Sequence, residues 1–200
     1  MNRRARKLAR RLRPFLPREG RIADIGSGTG HNAAILHDVL GPRVTIDSFD
    51  VADVHWVGPA PRWFDGERVP EADSAFSAAL LLFVLQYSPC PDQLLREASR
   101  IVDGPVLVLQ SSYRGAIGHW ALRVREFFWG RFAFRVAVAL KALPPMPCPL
   151  APRNYYRRDD LIRLAARAGL EVQVVQPSQW SGLGISRDLL VLTRPRGTET

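Results

Sequence analysis

A glycine-rich segment between a predicted strand and a predicted helix constrains the fold of this chain more than any other feature. Residues 21–25 form an apolar run, and Gly26, Gly28 and Gly30 follow at every second position before a helical pattern begins at His31. This order is typical of the first unit of an open α/β sheet, which binds ligands at the carboxyl ends of its strands. Glycines there permit positive φ and let a ligand lie against bare backbone.

The spacing of these glycines discriminates between classes of ligand. A dinucleotide fingerprint requires a further glycine at the position that His31 occupies, and a P-loop requires a Gly-Lys-Ser/Thr sequence that does not follow here. The segment therefore predicts a ligand site at the end of the first strand, but it disfavours a pyrophosphate cradle and excludes a P-loop.

Strand and helix patterns alternate along the rest of the chain. Apolar runs predict strands over residues 44–49, 76–84, 105–110, 170–175 and 189–194, with a short third segment ending at 61–65. Amphipathic patterns predict helices over residues 31–40, 92–102 and 159–168. The alternation predicts an α/β fold: a doubly wound, Rossmann-like sheet of seven mostly parallel strands in one domain.

Positive charge is concentrated at the amino terminus. The net charge is +9, and residues 1–21 contain nine Arg or Lys against one acid, Glu19. A basic amphipathic helix is predicted over residues 4–16, ending near Pro14 or Pro17. Its apolar residues at helical spacing are Leu8, Leu12, Phe15 and Leu16. We expect these leucines to pack on the domain, with contact to an anionic membrane or a polyanion as the alternative.

Cysteine and histidine usage excludes several classes of protein. Cys90 and Cys148 are too few for a disulfide framework and are expected to be free thiols. The histidines show no metal-ligand spacing, so no metal is expected. Without a secretory pattern or an apolar run of about 20 residues, a cytoplasmic protein is expected, with peripheral membrane contact through residues 3–18 as the alternative.

Several segments together resemble class I S-adenosylmethionine (SAM)-dependent methyltransferases, in particular the small-molecule group. They are the DxGxGxG pattern of residues 24–30, an acid ending the second strand, FDGERVP at 64–70 and FSAALLLFVLQYSPCPDQLLREASRIV at 76–102. The resemblance spans residues 21–110, with weaker similarity at 154–175. It implies a Rossmann-like fold with SAM as cofactor.

The resemblance also implies a set of cofactor-binding residues. Asp24 would orient the glycine loop, and Asp50 would accept hydrogen bonds from both ribose hydroxyls, with Asp47 as the competing choice because the end of the strand is uncertain. Asp65, with the backbone of Gly66, would receive the adenine amino group. The complete set is Asp24, Gly26, Ser27, Gly28, Gly30, Asp50, Val51, Asp65, Gly66 and Leu82.

Two departures from the family pattern bear on catalysis. Ser77 replaces the usual aspartate, and Gln86-Tyr87 replaces two histidines, which weakens the transfer of a catalytic base but leaves the cofactor site intact. If the acceptor is a hydroxyl, a base assists the reaction. The candidates are His119, with His31 and Tyr87 behind it, and Tyr156 with its neighbours Asn154 and Tyr155 would orient the substrate.

These patterns predict the domain organisation and the function. Residues 1–20 are expected to form the basic helix and residues 21–200 one methyltransferase domain. An aromatic and proline-rich insertion over about 111–153 is expected to cap the substrate site. We expect methyl transfer to an oxygen or carbon of an apolar small molecule such as a quinone, phenol, polyketide or lipid-like compound. The alternatives are an RNA methyltransferase, because of the basic helix, and a non-catalytic SAM-binding partner protein, because of the missing histidines.

Overall fold

A computed structural model describes residues 3–128, 132, 136, 139–140, 152–181 and 183–195. The strands are β1 Gly20–Ile25, β2 Val44–Asp50, β3 Arg62–Trp63, β4 Ala78–Leu82, β5 Val106–Tyr113, β6 Glu171–Ser181 and β7 Ile185–Thr193. They form one sheet in the order β3-β2-β1-β4-β5-β7-β6, in which β7 alone runs antiparallel to its neighbours. The predicted doubly wound, mostly parallel sheet is confirmed.

Helices cover both faces of this sheet. They are α1 Arg3–Leu12, α2 His31–Leu40, α3 Pro91–Arg100, α4 Gly115–Phe127 and α5 Arg158–Arg167. The buried side chains of α1 and α2 belong to one apolar cluster and those of α3 and α5 to another, so the sheet separates two cores. Within the described residues, no helix has the length and apolar character needed to cross a bilayer.

The amino-terminal helix packs its apolar side on the sheet, as predicted. Ala9 and Leu12 are buried, and the Arg11 guanidinium donates to the carbonyl of Arg187 at 3.1 Å and to that of Gln176. α1 ends at Leu12, earlier than predicted, and a 3-10 turn continues to Phe15. The proline at position 14 explains this change, because it lacks an amide hydrogen and its ring obstructs an α-helical turn.

The carboxyl-terminal strands are longer than the sequence predicts. β6 and β7 form an antiparallel hairpin, and β5 extends to Tyr113. Polar residues occupy these extensions because they bond to one another: Asp188 is fully buried and accepts from Ser112 Oγ at 2.7 Å and from Arg158 Nε at 3.0 Å. Apolar periodicity alone therefore underestimates the length of these strands.

Two further predicted boundaries change. β4 ends at Leu82, because Phe83 takes a left-handed conformation (φ 64°), although the Phe83 amide still donates to Leu109 at 2.7 Å. The insertion begins with α4 at Gly115. Residues 141–151, with Cys148 and most of the proline-rich stretch, lie outside the described residues. The predicted substrate cap therefore stays a prediction.

Candidate functional site

The glycine loop lies at the carboxyl end of β1 and is held by the end of β2. The amides of Gly26 and Ser27 donate to the carbonyl of Phe49 at 2.7 and 3.1 Å, and the Gly28 amide donates to Asp50 Oδ2 at 2.7 Å. The three loop glycines all have positive φ, as expected for a turn that leads directly into α2.

The glycines of the loop differ in how closely other atoms approach them. A Cβ on Gly30 would lie 2.1 Å from the Val57 carbonyl oxygen, and one on Gly26 would lie 2.4 Å from Val84 Cγ2. A Cβ on Gly28 would meet no heavy atom within 4 Å. Gly26 and Gly30 therefore serve close packing, whereas Gly28 faces open space in which a ligand fits.

We expect Gly30→Ala to lower the unfolding free energy more than Gly28→Ala. Both substitutions carry a left-handed backbone penalty of about 1–2 kcal/mol, and the clash with Val57 adds roughly 2 kcal/mol for Gly30→Ala alone. Urea unfolding of the cofactor-free variants measures this difference. Equal losses of stability in the two variants would contradict the assignment of Gly28 to the open side of the loop.

Asp24, the last acid before the loop, is buried without a partner. Its side chain is 1% exposed, and neither carboxylate oxygen has a hydrogen-bond partner within the protein. Burial, assisted by the nearby charge of Asp50, raises the pKa of Asp24 to about 7. A buried carboxylate of this kind is unfavourable unless a cation or a donor comes to it.

The two aspartates that compete in the sequence lie in different surroundings. Asp50 ends β2 beside the glycine loop, where its Oδ1 also accepts from the Ala52 amide at 3.3 Å. Asp47 lies three residues earlier and pairs with Arg21 at 2.7 Å on an exposed part of the sheet. The geometry therefore favours Asp50 as the acid that faces a ligand in the loop.

The other residues implied for the cofactor lie around this loop or at neighbouring strand ends. A Cβ on Gly66 would lie 3.3 Å from Val51 Cγ1, so these two residues face each other. Asp65 Oδ1 accepts from the amides of Glu67 and Arg68 at 2.8 and 2.7 Å, and these bonds lower the pKa of the Asp65 carboxyl. Two further residues are buried: Ser27 in the loop and Leu82 at the end of β4.

Residues 54–58 also contact the loop, and sequence reasoning missed them. The amides of Trp56 and Val57 donate to the Thr29 carbonyl at 3.0 and 3.3 Å, and the Trp56 ring lies 6.3 Å from that of His31. The residues of this segment are mostly apolar but follow neither a helical nor a strand periodicity, so the sequence carries no signal for this contact.

An aromatic cluster of Tyr113, His119 and Tyr155 lies beyond the end of β5. The His119 ring lies 4.5 Å from that of Tyr113 and stacks 5.7 Å from that of Tyr155. Tyr113 ends β5 and His119 lies in α4, so the insertion begins over the same edge of the sheet as the glycine loop. The structure thus brings His119 to this edge, between two tyrosine rings.

Tyr87 lies in the turn after β4, near polar residues that sequence reasoning missed. Arg125 pairs with Glu126, and Arg125 also donates to Ser111 Oγ at 3.1 Å. Burial raises the pKa of Tyr87, so its hydroxyl is protonated at neutral pH. A protonated phenol donates a hydrogen bond but does not act as a base.

The position of Tyr156 argues against the predicted catalytic role. Its side chain is buried, and its hydroxyl donates to the Leu85 carbonyl at 3.1 Å. Burial also raises its pKa. The hydroxyl is therefore engaged in fastening the segment before α5 to the turn after β4. The neighbouring Asn154 does the same by donating to the Ser88 carbonyl at 2.9 Å.

Comparisons with known proteins agree with this arrangement. A family model described as a methyltransferase domain matches residues 1–175. No match was found among curated protein sequences.

Solved structures share the fold at low sequence identity. The 4+2 cyclase SpnF has a TM-score of 0.67 at 15% identity, over 96% of this chain and 81% of that chain. A SAM-dependent methyltransferase from Methanosarcina mazei has a TM-score of 0.62 at 14% identity, over 92% and 96%. Geranyl diphosphate methyltransferase in complex with SAM has a TM-score of 0.62 at 13% identity, over 94% and 85%.

Proposed function

This chain belongs to the methyltransferase-domain family, and from that premise we propose that it transfers a methyl group from SAM to an oxygen or carbon atom of an apolar small molecule. Membership of the family makes it a SAM-dependent methyltransferase. The acceptor class is the proposed part. The observation that carries it is the aromatic cluster at the edge of the sheet that also holds the glycine loop.

The residues around the loop fit SAM. The Asp24 carboxylate has no partner within the protein, so a cationic ligand would stabilise its charged form. SAM carries two cationic groups, an ammonium and a sulfonium. Open space beside Gly28 accommodates a ligand against the backbone. Asp50 already accepts two amide hydrogens, and a carboxylate has about four acceptor sites, so it retains capacity for a vicinal diol.

We assign the adenine end to the segment after β2 and the turn after β3. Val51 and Gly66 lie against each other, since a Cβ on Gly66 would lie 3.3 Å from Val51 Cγ1, and together they offer one surface on which a flat ring would pack. Asp65 is ionised and uses one oxygen for backbone amides, which leaves its other oxygen for an exocyclic amino group. Two further residues of the predicted cofactor set, Ser27 in the loop and Leu82 at the end of β4, are buried.

Methyl transfer requires alignment above all. SAM, when bound, would supply an activated methyl group, and the residues of the site would hold and orient the nucleophile beside it. The Tyr113, His119 and Tyr155 rings provide flat apolar surface against which an aromatic or lipid-like acceptor packs. Tyr87 and the Arg125–Glu126 pair provide hydrogen-bonding groups on the β4 side that orient polar substituents.

Of the predicted bases, His119 is the one that this geometry supports best. Burial raises the pKa values of Tyr87 and Tyr156, so both hydroxyls remain protonated at neutral pH. The His119 ring lies between those of Tyr113 and Tyr155, at the edge of the sheet that holds the glycine loop. An oxygen acceptor would use His119 as general base, and a carbon acceptor that is already nucleophilic would need none. We propose a cytoplasmic location for this activity.

The alternative of an RNA methyltransferase has less support. The basic residues of α1 suggest this alternative. However, the arginines around the end of α1 lie near the amino ends of β1 and β2, at the edge of the sheet opposite the glycine loop. Positive charge at that edge does not lead a polynucleotide toward the methyl group. The non-catalytic alternative is tested directly by turnover.

Incubating the pure protein with methyl-labelled SAM and a panel of quinones, phenols and polyketides tests the proposal. We expect label in at least one apolar acceptor and no label with the same panel and the Asp50→Asn variant. Label only in added RNA would overturn the proposed acceptor class. Tight SAM binding without turnover on a host extract would favour the non-catalytic alternative.

A further inference from the structure

A concave, strongly basic site lies at the amino edge of the sheet, away from the cofactor loop. It is a groove of about 780 Å³ between the end of α1, the loop before β1 and the loop before β2. Four arginines, one or two from each of these segments, line it: Arg10, Arg13, Arg18 and Arg43. We call it the arginine groove. Its volume is within the range of small-molecule sites, roughly 300–1,000 Å³.

The walls of the groove are held in place by a backbone hydrogen bond, by packing against the core and by prolines. The Gly20 amide donates to the Arg43 carbonyl at 3.0 Å, which ties the two loops together where β1 and β2 begin. Leu16 is buried and Leu40 half-buried, so the floor is apolar and part of the core. Prolines at positions 14, 17 and 42 also line the groove and fix the backbone of its walls.

No described acid of the protein pairs with the arginines of the groove. Among the described residues, the four groove arginines make no ion pair and no side-chain hydrogen bond, and no acid lines the groove. Nearby arginines of the same sheet behave differently: Arg21 pairs with Asp47, and Arg62 pairs with Glu71. Four exposed guanidinium groups around one concavity repel one another unless an anion enters.

Guanidinium chemistry indicates which anion fits. Its planar fork of donors matches the oxygens of a phosphate group in a bidentate manner. Arg10 and Arg13 are three residues apart around the end of α1, and Arg43 lines the same groove from the loop before β2, so neighbouring phosphates can be held by groups from separate segments. We propose that the arginine groove binds a phosphate-bearing ligand with two or more linked or adjacent phosphate groups.

The structure distinguishes this site from a membrane-inserting helix and from the reaction site. Among the side chains of α1 from Arg6 onward, Ala9 and Leu12 are buried and Leu8 is half-buried against the same cluster, so this described part of the helix has no exposed apolar face to insert into a bilayer. The groove lies at the opposite edge of the sheet from Asp24 and Asp50, so its ligand is not the methyl acceptor. The proposal is therefore independent of the proposed acceptor.

Calorimetry of the full chain with sodium tripolyphosphate tests the proposal. We expect saturable binding that weakens with added salt and falls about tenfold or more in the double variant Arg10→Gln/Arg43→Gln. The matched control Lys7→Gln/Arg167→Gln removes two exposed charges outside the groove and is expected to change the affinity by less than about twofold. Equal weakening in both double variants would indicate diffuse attraction and overturn the proposal.

Two further measurements identify the source of the phosphate. Co-sedimentation with phosphatidylcholine vesicles containing phosphatidylglycerol, displaced by tripolyphosphate and lost in Arg10→Gln/Arg43→Gln, would support the proposal with a lipid headgroup as ligand. Tripolyphosphate binding without vesicle binding would support it with a free phosphate compound. Absence of tripolyphosphate binding would overturn it, whether or not a single-stranded RNA binds the protein.

Discussion

Replacing Asp50 by asparagine should weaken SAM binding by about 30- to 1,000-fold, the equivalent of two charge-assisted hydrogen bonds at about 1–2 kcal/mol each. The change is isosteric, and the amide oxygen of asparagine can still accept from the Gly28 amide, so the loop should keep its shape. Calorimetric titration with SAM measures the loss. The KM for SAM should rise in parallel.

Asp47→Asn is the matched control for this prediction. Asp47 pairs with Arg21 on an exposed part of the sheet, and an exposed ion pair contributes little, about 0–1 kcal/mol. We expect an affinity for SAM within about twofold of the parent. If Asp47→Asn lost the affinity and Asp50→Asn kept it, the ribose would have to be reassigned to Asp47.

Replacing Asp24 by asparagine should weaken SAM binding and at the same time stabilise the cofactor-free protein. The folded-state pKa of about 7 lies above the ordinary value of 3.8, so the folded protein binds a proton more tightly than the unfolded chain does. Stability of the parent is therefore expected to fall as pH rises from about 4 to about 7 and to level off above that. The variant has no charge at this position and should lack this fall.

The size of the effect follows from the shift in pKa. At about 1.4 kcal/mol per unit, the upper limit is on the order of 4 kcal/mol, and relaxation of the site reduces it. We expect the variant to be about 2 kcal/mol more stable than the parent near pH 8 and equal to it near pH 4. Urea unfolding at the two pH values provides the measurement. A variant that is less stable near pH 8 would show that Asp24 has a partner within the protein.

SAM binding by the parent should show the complementary pH dependence. The carboxylate of Asp24 attracts the cationic cofactor, and the protonated form does not. Affinity should therefore rise as pH increases through about 7. Asp24→Asn should show a weak affinity that changes little over the same range.

The sequence predicted the first elements of the fold well. The glycine loop and the helix after it follow from local rules, since glycine spacing and apolar periodicity act within a few residues. α2 was predicted with the bounds that it has, His31–Leu40. Errors appeared where side chains from distant strands decide: Asp188 is buried because Ser112 and Arg158 satisfy it, and neither lies near it in the sequence.

The acceptor half was less predictable for the same reason. His119 was singled out by type alone, and its neighbours Tyr113 and Tyr155 come from segments on either side of the insertion. Tyr156 looked equally suitable in the sequence, yet its hydroxyl faces the Leu85 carbonyl. Successive side chains of an extended segment point to opposite sides, so the neighbours Tyr155 and Tyr156 face different surroundings. A short sequence motif does not specify which of the two side chains points toward a substrate.

Some contacts of α1 can form only after the whole chain has been made. Arg11 bonds to carbonyls in β6 and β7, and Leu12 packs in the same cluster as Leu189. At a synthesis rate of about 5–20 residues per second, these strands leave the ribosome on the order of ten seconds after α1 does. The bonds that fasten the amino-terminal helix to the carboxyl-terminal hairpin are therefore among the last in the fold to form.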